Sequence, residues 1–319
     1  MSGVGAVYRK ELSDNFSSFR FVMLFALIAM VSFIISYMAG VSLKENLEGV
    51  AKPKFVFLML FNTKGALFSL VDFVAVFGPL IGLVLGFDAI NGERAHGTLV
   101  KLVSQPIYRD AVINGKFLAG ATTITILVVS IVLVISGFGL TLIGVVPGVE
   151  EILRLAIYVG ISIFYISFWL GLSILFSIVF RSVATSFLAS VALWIFLSFF
   201  VSLGASVLAN SIAPVEKKEG AEPETIVTNS EIKEEASLLS PMFIYSSATA
   251  TIVDPMRKTT RSLVLMGPME QLSSSRFQNP LSLGQSLVVV YPQLVALIAI
   301  SLICFAVSYW IFMMQEIRT

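Results

Sequence analysis

Charge is scarce in this chain. Of its 319 residues only 13% are Asp, Glu, Lys or Arg, about half the share found in soluble domains. Basic and acidic totals of 21 and 20 nearly cancel, which leaves no basic surface for a nucleic-acid backbone and argues against nucleic acid as a partner. Cys304, the one cysteine, lies inside an apolar run, and His96 is the one histidine. These counts exclude a disulfide framework and a thiolate metal site, and they leave His96 as a solvated or contact residue without metal-ligand partners. The catalytic strings HExxH and GxSxG do not occur. Gly115-Lys116 is the only Gly-Lys pair, but Phe117 stands where a phosphate-binding loop has Ser or Thr, and Asp110 stands where its first glycine belongs.

What is abundant is apolar length. Hydrophobic residues make up 57% of the chain, with 26 phenylalanines and a mean hydropathy of +0.92. A membrane-spanning helix needs roughly 20 mostly apolar residues. Six runs qualify, at about 20–40, 69–88, 117–146, 155–180, 183–209 and 285–313. The expected fold is all-α: a polytopic membrane protein with six transmembrane helices, since a β-barrel would show short alternating segments instead. Residues 1–19 place Val4, Tyr8, Leu12, Phe16 and Phe19 at helical spacing, the pattern of an amphipathic helix lying in the membrane interface. They do not resemble a cleaved leader, because Arg9, Lys10, Glu11 and Asp14 precede a full-length span.

Basic residues set the orientation. Arg9, Lys10, Arg20, Arg94, Lys101, Arg109, Lys116, Arg181 and Arg318 fall on one side, against Lys44, Lys52, Lys54, Lys64 and Arg154 in the short loops of the other. Both termini are therefore expected in the cytosol, with the protein in the cytoplasmic (inner) membrane. Only Arg181-Ser182 separates spans four and five, which predicts a tight hairpin. Residues 210–284 form one long extracytoplasmic segment. Its first part, Pro214 to Glu235, is rich in Glu, Lys, Pro and Thr and is expected to be mobile. Its second, Ser237 to Ile252, is apolar enough to pack on the outer mouth. Residues 285–319 supply span six and a short cytosolic tail. Met242, Met256, Met266 and Met269 on the outer side are of a type that suits Cu(I), but their scatter favours packing.

The spans carry almost nothing ionisable. Asp72 and Asp88 sit at the two ends of span two, and spans three to six hold no Asp, Glu, Lys or His at mid-depth. Ion-coupled transporters and intramembrane enzymes keep such groups despite their cost, so any uphill movement here needs an external energy source. Two small-residue stripes stand out: Gly78, Gly82 and Gly86 in span two, and Ser186, Ser190, Ser198, Ser202 and Ser206 in span five. Close helix packing explains both. A pathway lined with uncharged hydroxyls is the second possibility for the serines.

Between spans two and three the chain makes a compact charged excursion with Asp88, Glu93, Arg94, Lys101, Arg109, Asp110 and Lys116. Pro79, Asp88, Gly92-Glu93-Arg94, Gly97-Thr98-Leu99, Ser104-Gln105-Pro106, Arg109 and Gly115-Lys116 follow one another here. In order and spacing this stretch, residues 79–118, resembles the ABC-2 type permeases, in particular the six-span subgroup with a separate ATPase. The resemblance implies that the loop at 88–116 is a coupling element seated on an ABC ATPase subunit, with Asp88, Glu93, Arg94, Gly97, Thr98, Leu99, Arg109 and Lys116 in contact or positioning roles. Thr98 would cap a helix from Leu99 to Val103. It also implies a dimer of permeases, ATP and Mg bound by the partner ATPase, no cofactor or catalytic residue in this chain, and export of an unidentified substrate. Spans two and five would then line the path. The alternative is a scaffold that relays ATP-driven motion to an extracytoplasmic partner without moving solute. On residue chemistry alone, a solvated loop obeying the positive-inside rule remains open.

Overall fold

The computed structural model describes residues 3–47, 55–63, 69–98, 108–214, 223–257 and 280–315. Among these residues there is no strand, and six helices are long and apolar enough to cross a membrane. Helix α1 (Gly3–Ser17) leads into span one, α2 (Phe19–Leu47). A short α3 (Val56–Asn62) precedes span two, α4 (Leu70–Gly86), and after a turn comes the five-residue α5 (Asn91–Ala95). Span three is α6 (Arg109–Ile143) and span four is α7 (Val149–Val179). Span five comprises α8 (Val183–Ile195), a π-helical turn (Phe196–Phe200) and α9 (Val201–Ile212). Then follow α10 (Pro223–Ser237), α11 (Pro241–Val253) and span six, α12 (Leu283–Met314).

Local chemistry sets several of these ends. Ser69 and Asp72 close a reciprocal cap at the start of span two: the Asp72 amide donates to Ser69 Oγ (3.1 Å) and the Ser69 amide to Asp72 Oδ2 (3.3 Å). Ser282 and Gln285 do the same for span six. Span three stops at Gly144, whose φ of +64° ends a helix cheaply only in glycine. That span starts earlier than its apolar run, at Arg109 rather than about Phe117. Hydropathy marks where the chain enters the bilayer, whereas the helix begins one charged stretch before it. At 35 residues it is about 50 Å long, well beyond the ~30 Å hydrocarbon layer.

Span four is the centre of the bundle. In it 67% of the apolar window is buried, against 11% in span five, which leaves span five with a broad face free for lipid or another chain. Trp169, Tyr158 and Tyr165 on span four are fully enclosed. The glycine stripe of span two faces this helix. A Cβ at Gly82 would lie 2.6 Å from the Ile166 carbonyl oxygen and 2.7 Å from the Leu170 amide; one at Gly86 would lie 2.8 Å from Ser173 Cβ. The stripe is thus a contact ridge on which backbones touch, reinforced by Ser173 Oγ donating to Leu83 O (2.9 Å) and Tyr165 OH to Ala75 O (2.7 Å). Replacing Gly82 with alanine is expected to cost about 1–3 kcal/mol by overpacking. A lowered unfolding midpoint in detergent, alongside an unchanged Gly160→Ala control where the space is open, checks it.

The segment after span five differs from expectation. Of the stretch expected to be mobile, Pro223 onward is the helix α10. Composition alone missed it because the stabilising contacts are tertiary: Asn229 Nδ2 donates to Asn210 Oδ1 (2.9 Å) and to Ala213 O (2.7 Å), satisfying a carbonyl at the end of span five. Residues 215–222 lie outside the described residues. The chain then bends by 109° into α11, which sinks between the spans instead of resting on their mouth. Tyr245 of α11 stacks on Tyr165 (4.3 Å between centroids, 14° between planes) and its hydroxyl meets Ser162 Oγ at 2.8 Å.

Candidate functional site

Both described ends of the chain gather on one face of the bundle around the Asp88–Thr98 segment. Span two ends at Gly86, and the turn after it presents the Ile90 and Asn91 amides to Ser177 Oγ of span four (2.9 and 3.1 Å). The buried Asn91 side chain donates to Ser182 O (3.3 Å), at the start of span five. These bonds supply acceptors for the first amides of α5, which has no room to satisfy them itself. The segment then turns back at Gly97, whose φ of +66° is the left-handed conformation glycine tolerates.

Four charges fasten this segment to its neighbours. Lys10 of α1 reaches Glu93 Oε1 (2.9 Å) and Glu11 (3.2 Å). Lys116, whose side chain is only 4% exposed, pairs with Glu11 at 2.7 Å and with Glu93 at 3.6 Å. The Thr98 hydroxyl donates to the Glu93 carboxylate and to Glu93 O. Beneath this network α1 lies directly on span three, where a Cβ at Gly115 would come 2.7 Å from Val7 Cγ1. Helix α1, the segment and the charged start of span three therefore form one body. Asp88 is held separately, by Arg20 Nη1 at 3.0 Å. A cavity of about 460 Å³ opens beside the network, walled by Lys10, Asp14, Arg20, Asp88, Glu93 and His96 among others. His96 Nδ1 donates to Gly92 O (2.7 Å).

A second knot lies at Gln315, just after span six. Arg94 Nη2 donates to Gln315 Oε1 (3.0 Å), Arg109 Nη1 to Gln315 O (2.9 Å), and Gln315 Nε2 to Ile178 O at the end of span four (3.2 Å). Arg94 and Arg109, 15 positions apart in sequence, meet through this one residue.

The network sets the protonation of its members. Partial burial by itself would raise the Glu93 carboxyl, but the Thr98 hydroxyl and the Lys10 and Lys116 ammonium groups outweigh it and hold the group well below the usual carboxylate range. Burial likewise pulls Lys10 down, and Glu93 and Glu11 more than reverse that. A depressed carboxyl stabilises the folded state above its unfolded pKa of about 4.3, and this is lost as pH falls through the folded value. A raised ammonium stabilises below about 10.4 and is lost as pH rises beyond it. Docking of α1 on the segment should therefore be flat from about pH 5 to 10 and loosen on acidification below about 4. Hydrogen exchange of the α1 amides across that range checks it.

Of the residues expected at this site, Asp88, Glu93, Arg94, Gly97, Thr98, Arg109 and Lys116 lie around one face; Leu99 and the helix anticipated to Val103 fall outside the described residues. Gln315 and Ser177 were not anticipated, and the Arg9-Lys10-Glu11 stretch was expected as a family-like interfacial lead-in, with Lys10 among the charges that set orientation, not as the partner of Glu93 and Lys116. Their roles are tertiary, decided between residues far apart in the chain. The serine stripe divides. Ser186 Oγ donates to Phe87 O (2.8 Å), pinning span five to the end of span two, and Ser190 bonds back to Ser186 O. Ser206 bonds to Ser202 O, which belongs to the half-exposed outer part, while the buried Ser198 Oγ, in the π-helical turn, has no hydrogen-bond partner. Met242 packs against the core and Met256 is exposed; Met266 and Met269 lie outside the described residues.

Arg154, counted in the sequence only as a loop charge, is fully buried at the opposite face. Its guanidinium donates to Glu150 (2.9 Å), Ser286 Oγ (3.0 Å), Ile252 O (3.1 Å) and Leu281 O (2.6 Å), and lies over the Phe55 ring. Next to it Glu151 accepts from the Phe57 and Gly148 amides (3.1 and 2.8 Å).

Six helices long and apolar enough to span, a lead-in helix packed on span three and a cross-linked charged segment after span two define a multi-pass membrane protein. The sequence model of the ABC-2 family transporter proteins matches residues 5–317, and the chain belongs to that family. It is 30% identical over 161 residues to the probable ABC transporter permease protein NosY of Pseudomonas aeruginosa, a match covering 50% of this chain and 52% of that protein. It is 29% identical over 153 residues to the protein of the same description from Stutzerimonas stutzeri, covering 47% and 49%. The chain thus aligns with about half the length of these relatives.

Proposed function

We propose that this permease works as a dimer in the cytoplasmic membrane, with both termini cytosolic, and converts ATP hydrolysis by a separate ATPase subunit into export of a substrate. The observation that carries the proposal is the fastening of the Asp88–Thr98 segment. Its carboxylate Glu93 is bound to α1 and span three, and its guanidinium Arg94 to the end of span six. A load applied to the segment by a docked ATPase is spread over several spans instead of bending a loop. When the ATPases close on ATP, the two permeases rock between states of different access. Span five, with its exposed apolar face, is where a second copy and the path would lie, and Ser198 and Ser202 are its candidate lining groups. The scaffold alternative draws on α10, which presents Glu224, Glu231 and Glu235 to solvent and offers an acidic surface for an extracytoplasmic partner.

The test is whether an ABC ATPase co-purifies with the chain and hydrolyses ATP faster with the permease than without it. Absence of both effects would sink the coupling proposal. Replacing Ser198 and Ser202 with leucine separates path from packing: a path lined by them loses export with assembly intact, whereas unchanged export leaves packing alone.

A further inference from the structure

We infer that Gln315 is the positioning residue through which the charged segment moves spans four and six, and that Arg154 carries the same movement to α11 on the far face. This inference rests on the coupling role proposed above. Gln315 binds both arginines of the segment and of span three's start while donating to the last turn of span four. Its position suits the two guanidinium groups, because the C-terminal ends of spans four and six expose carbonyls and the negative ends of their dipoles. Spans four and six then run together through the bilayer. Ser308 Oγ donates to Gly171 O (3.2 Å) and Ser301 Oγ to Phe164 O (3.3 Å), each a bond from one span to the backbone of the other. At the far end of the same pair, Arg154 ties span four to Ser286 and Leu281 at the start of span six, and to Ile252 in the last turn of α11.

The consequence lies in how the two halves of the far-face segment are held. Helix α11 belongs to the span four–six pair through Arg154 and through the Tyr245 contacts with Tyr165 and Ser162. Helix α10 belongs to span five through Asn229. They meet at the 109° bend, where Leu238 and Leu239 are exposed. A displacement of the pair against span five is then expected as a change of angle between α10 and α11. In this inference the bend serves as the two-state element that a coupling path requires, and the π-helical turn at Phe196–Phe200 gives span five a place to yield.

The experiment uses the full permease with its ATPase subunit in lipid nanodiscs. Spin labels are placed at Glu231→Cys on α10 and Met256→Cys just beyond α11, and the probe is ATP with a trapped-hydrolysis analogue. The unsubstituted complex should change its inter-label distance on nucleotide binding. Gln315→Leu should cut that change at least fivefold while the ATPase stays bound, and Gln315→Glu, which keeps an acceptor for Arg94 but loses the donor to Ile178 O, should restore only part of it. A full change in Gln315→Leu would overturn the inference and leave the coupling proposal standing. No nucleotide-dependent change in the unsubstituted complex would overturn the coupling proposal itself, and the relay with it. If Gln315→Leu fails to assemble, Ser286→Ala, which removes one Arg154 bond at the far end, serves instead: a reduced change supports the relay and an unaltered one overturns it.

Discussion

Replacing Arg154 with methionine is expected to lower the stability of the permease by about 3–5 kcal/mol, the loss typical of removing one side of a buried charged contact. The side chain is completely enclosed, and its partners divide into two kinds. Glu150 is 37% exposed, so it regains water when the guanidinium goes and contributes little to the loss. The carbonyls of Ile252 and Leu281 and the Ser286 hydroxyl gain no such compensation, and each unpaired buried group costs on the order of 1–3 kcal/mol. Lysine retains the charge but cannot reach several acceptors in a planar fork, so Arg154→Lys should fall between wild type and Arg154→Met. Thermal or chemical unfolding in mild detergent reads the series. A methionine variant as stable as wild type would mean that the far-face clasp carries no weight.

The architecture was legible because apolar length is a one-dimensional signal. Each spanning run in the sequence became a spanning helix, and the two-residue link Arg181-Ser182 became the expected hairpin between spans four and five. The glycine ridge was also legible, since Gly78, Gly82 and Gly86 at fourfold spacing specify one face. What escaped was everything decided between distant residues. Arg154 looks the same in sequence whether it faces water or fills a buried socket, because, Glu150 aside, its acceptors come from residues 98 to 132 positions away. Gln315 is one polar residue after an apolar helix, a position where solvation is the ordinary outcome. Only the meeting of Arg94, Arg109 and Ile178 there gives it work. Helix α10 has the composition of unfolded chain, and its packing on the end of span five, with Asn229 capping Ala213 O, holds it in place. At the site, sign and spacing located the segment from Asp88 to Thr98, but the counter-charges Lys10 and Glu11 lay more than 80 residues upstream in a helix that served another purpose on paper.

Reversing the charge at Glu93 is expected to have the largest effect on activity. Glu93→Lys would place a third ammonium between Lys10 and Lys116, where the native carboxylate now lies 2.9 and 3.6 Å from them. Lys116 is almost fully enclosed, with Glu11 as its other acidic partner, so it cannot turn to solvent to escape. Like charges so placed cost several kcal/mol, enough to detach α1 from the segment and to disperse the load that the network now shares. The spans keep their apolar runs and the helix ridge on span four, so insertion and expression should persist. Permease-stimulated ATP turnover should fall at least tenfold, the equivalent of about 1.4 kcal/mol of lost coupling. Glu93→Gln retains acceptors for Lys10 and Thr98 without the charge and should lose less. The order wild type, glutamine, lysine is what separates an electrostatic bolt from a merely solvated loop, in which all three would hydrolyse ATP alike with the permease present. Protection of the α1 amides supplies the second readout: it should drop in Glu93→Gln at neutral pH towards the level wild type reaches only in acid, since both remove the same negative charge from the same pair of lysines, and drop further in Glu93→Lys.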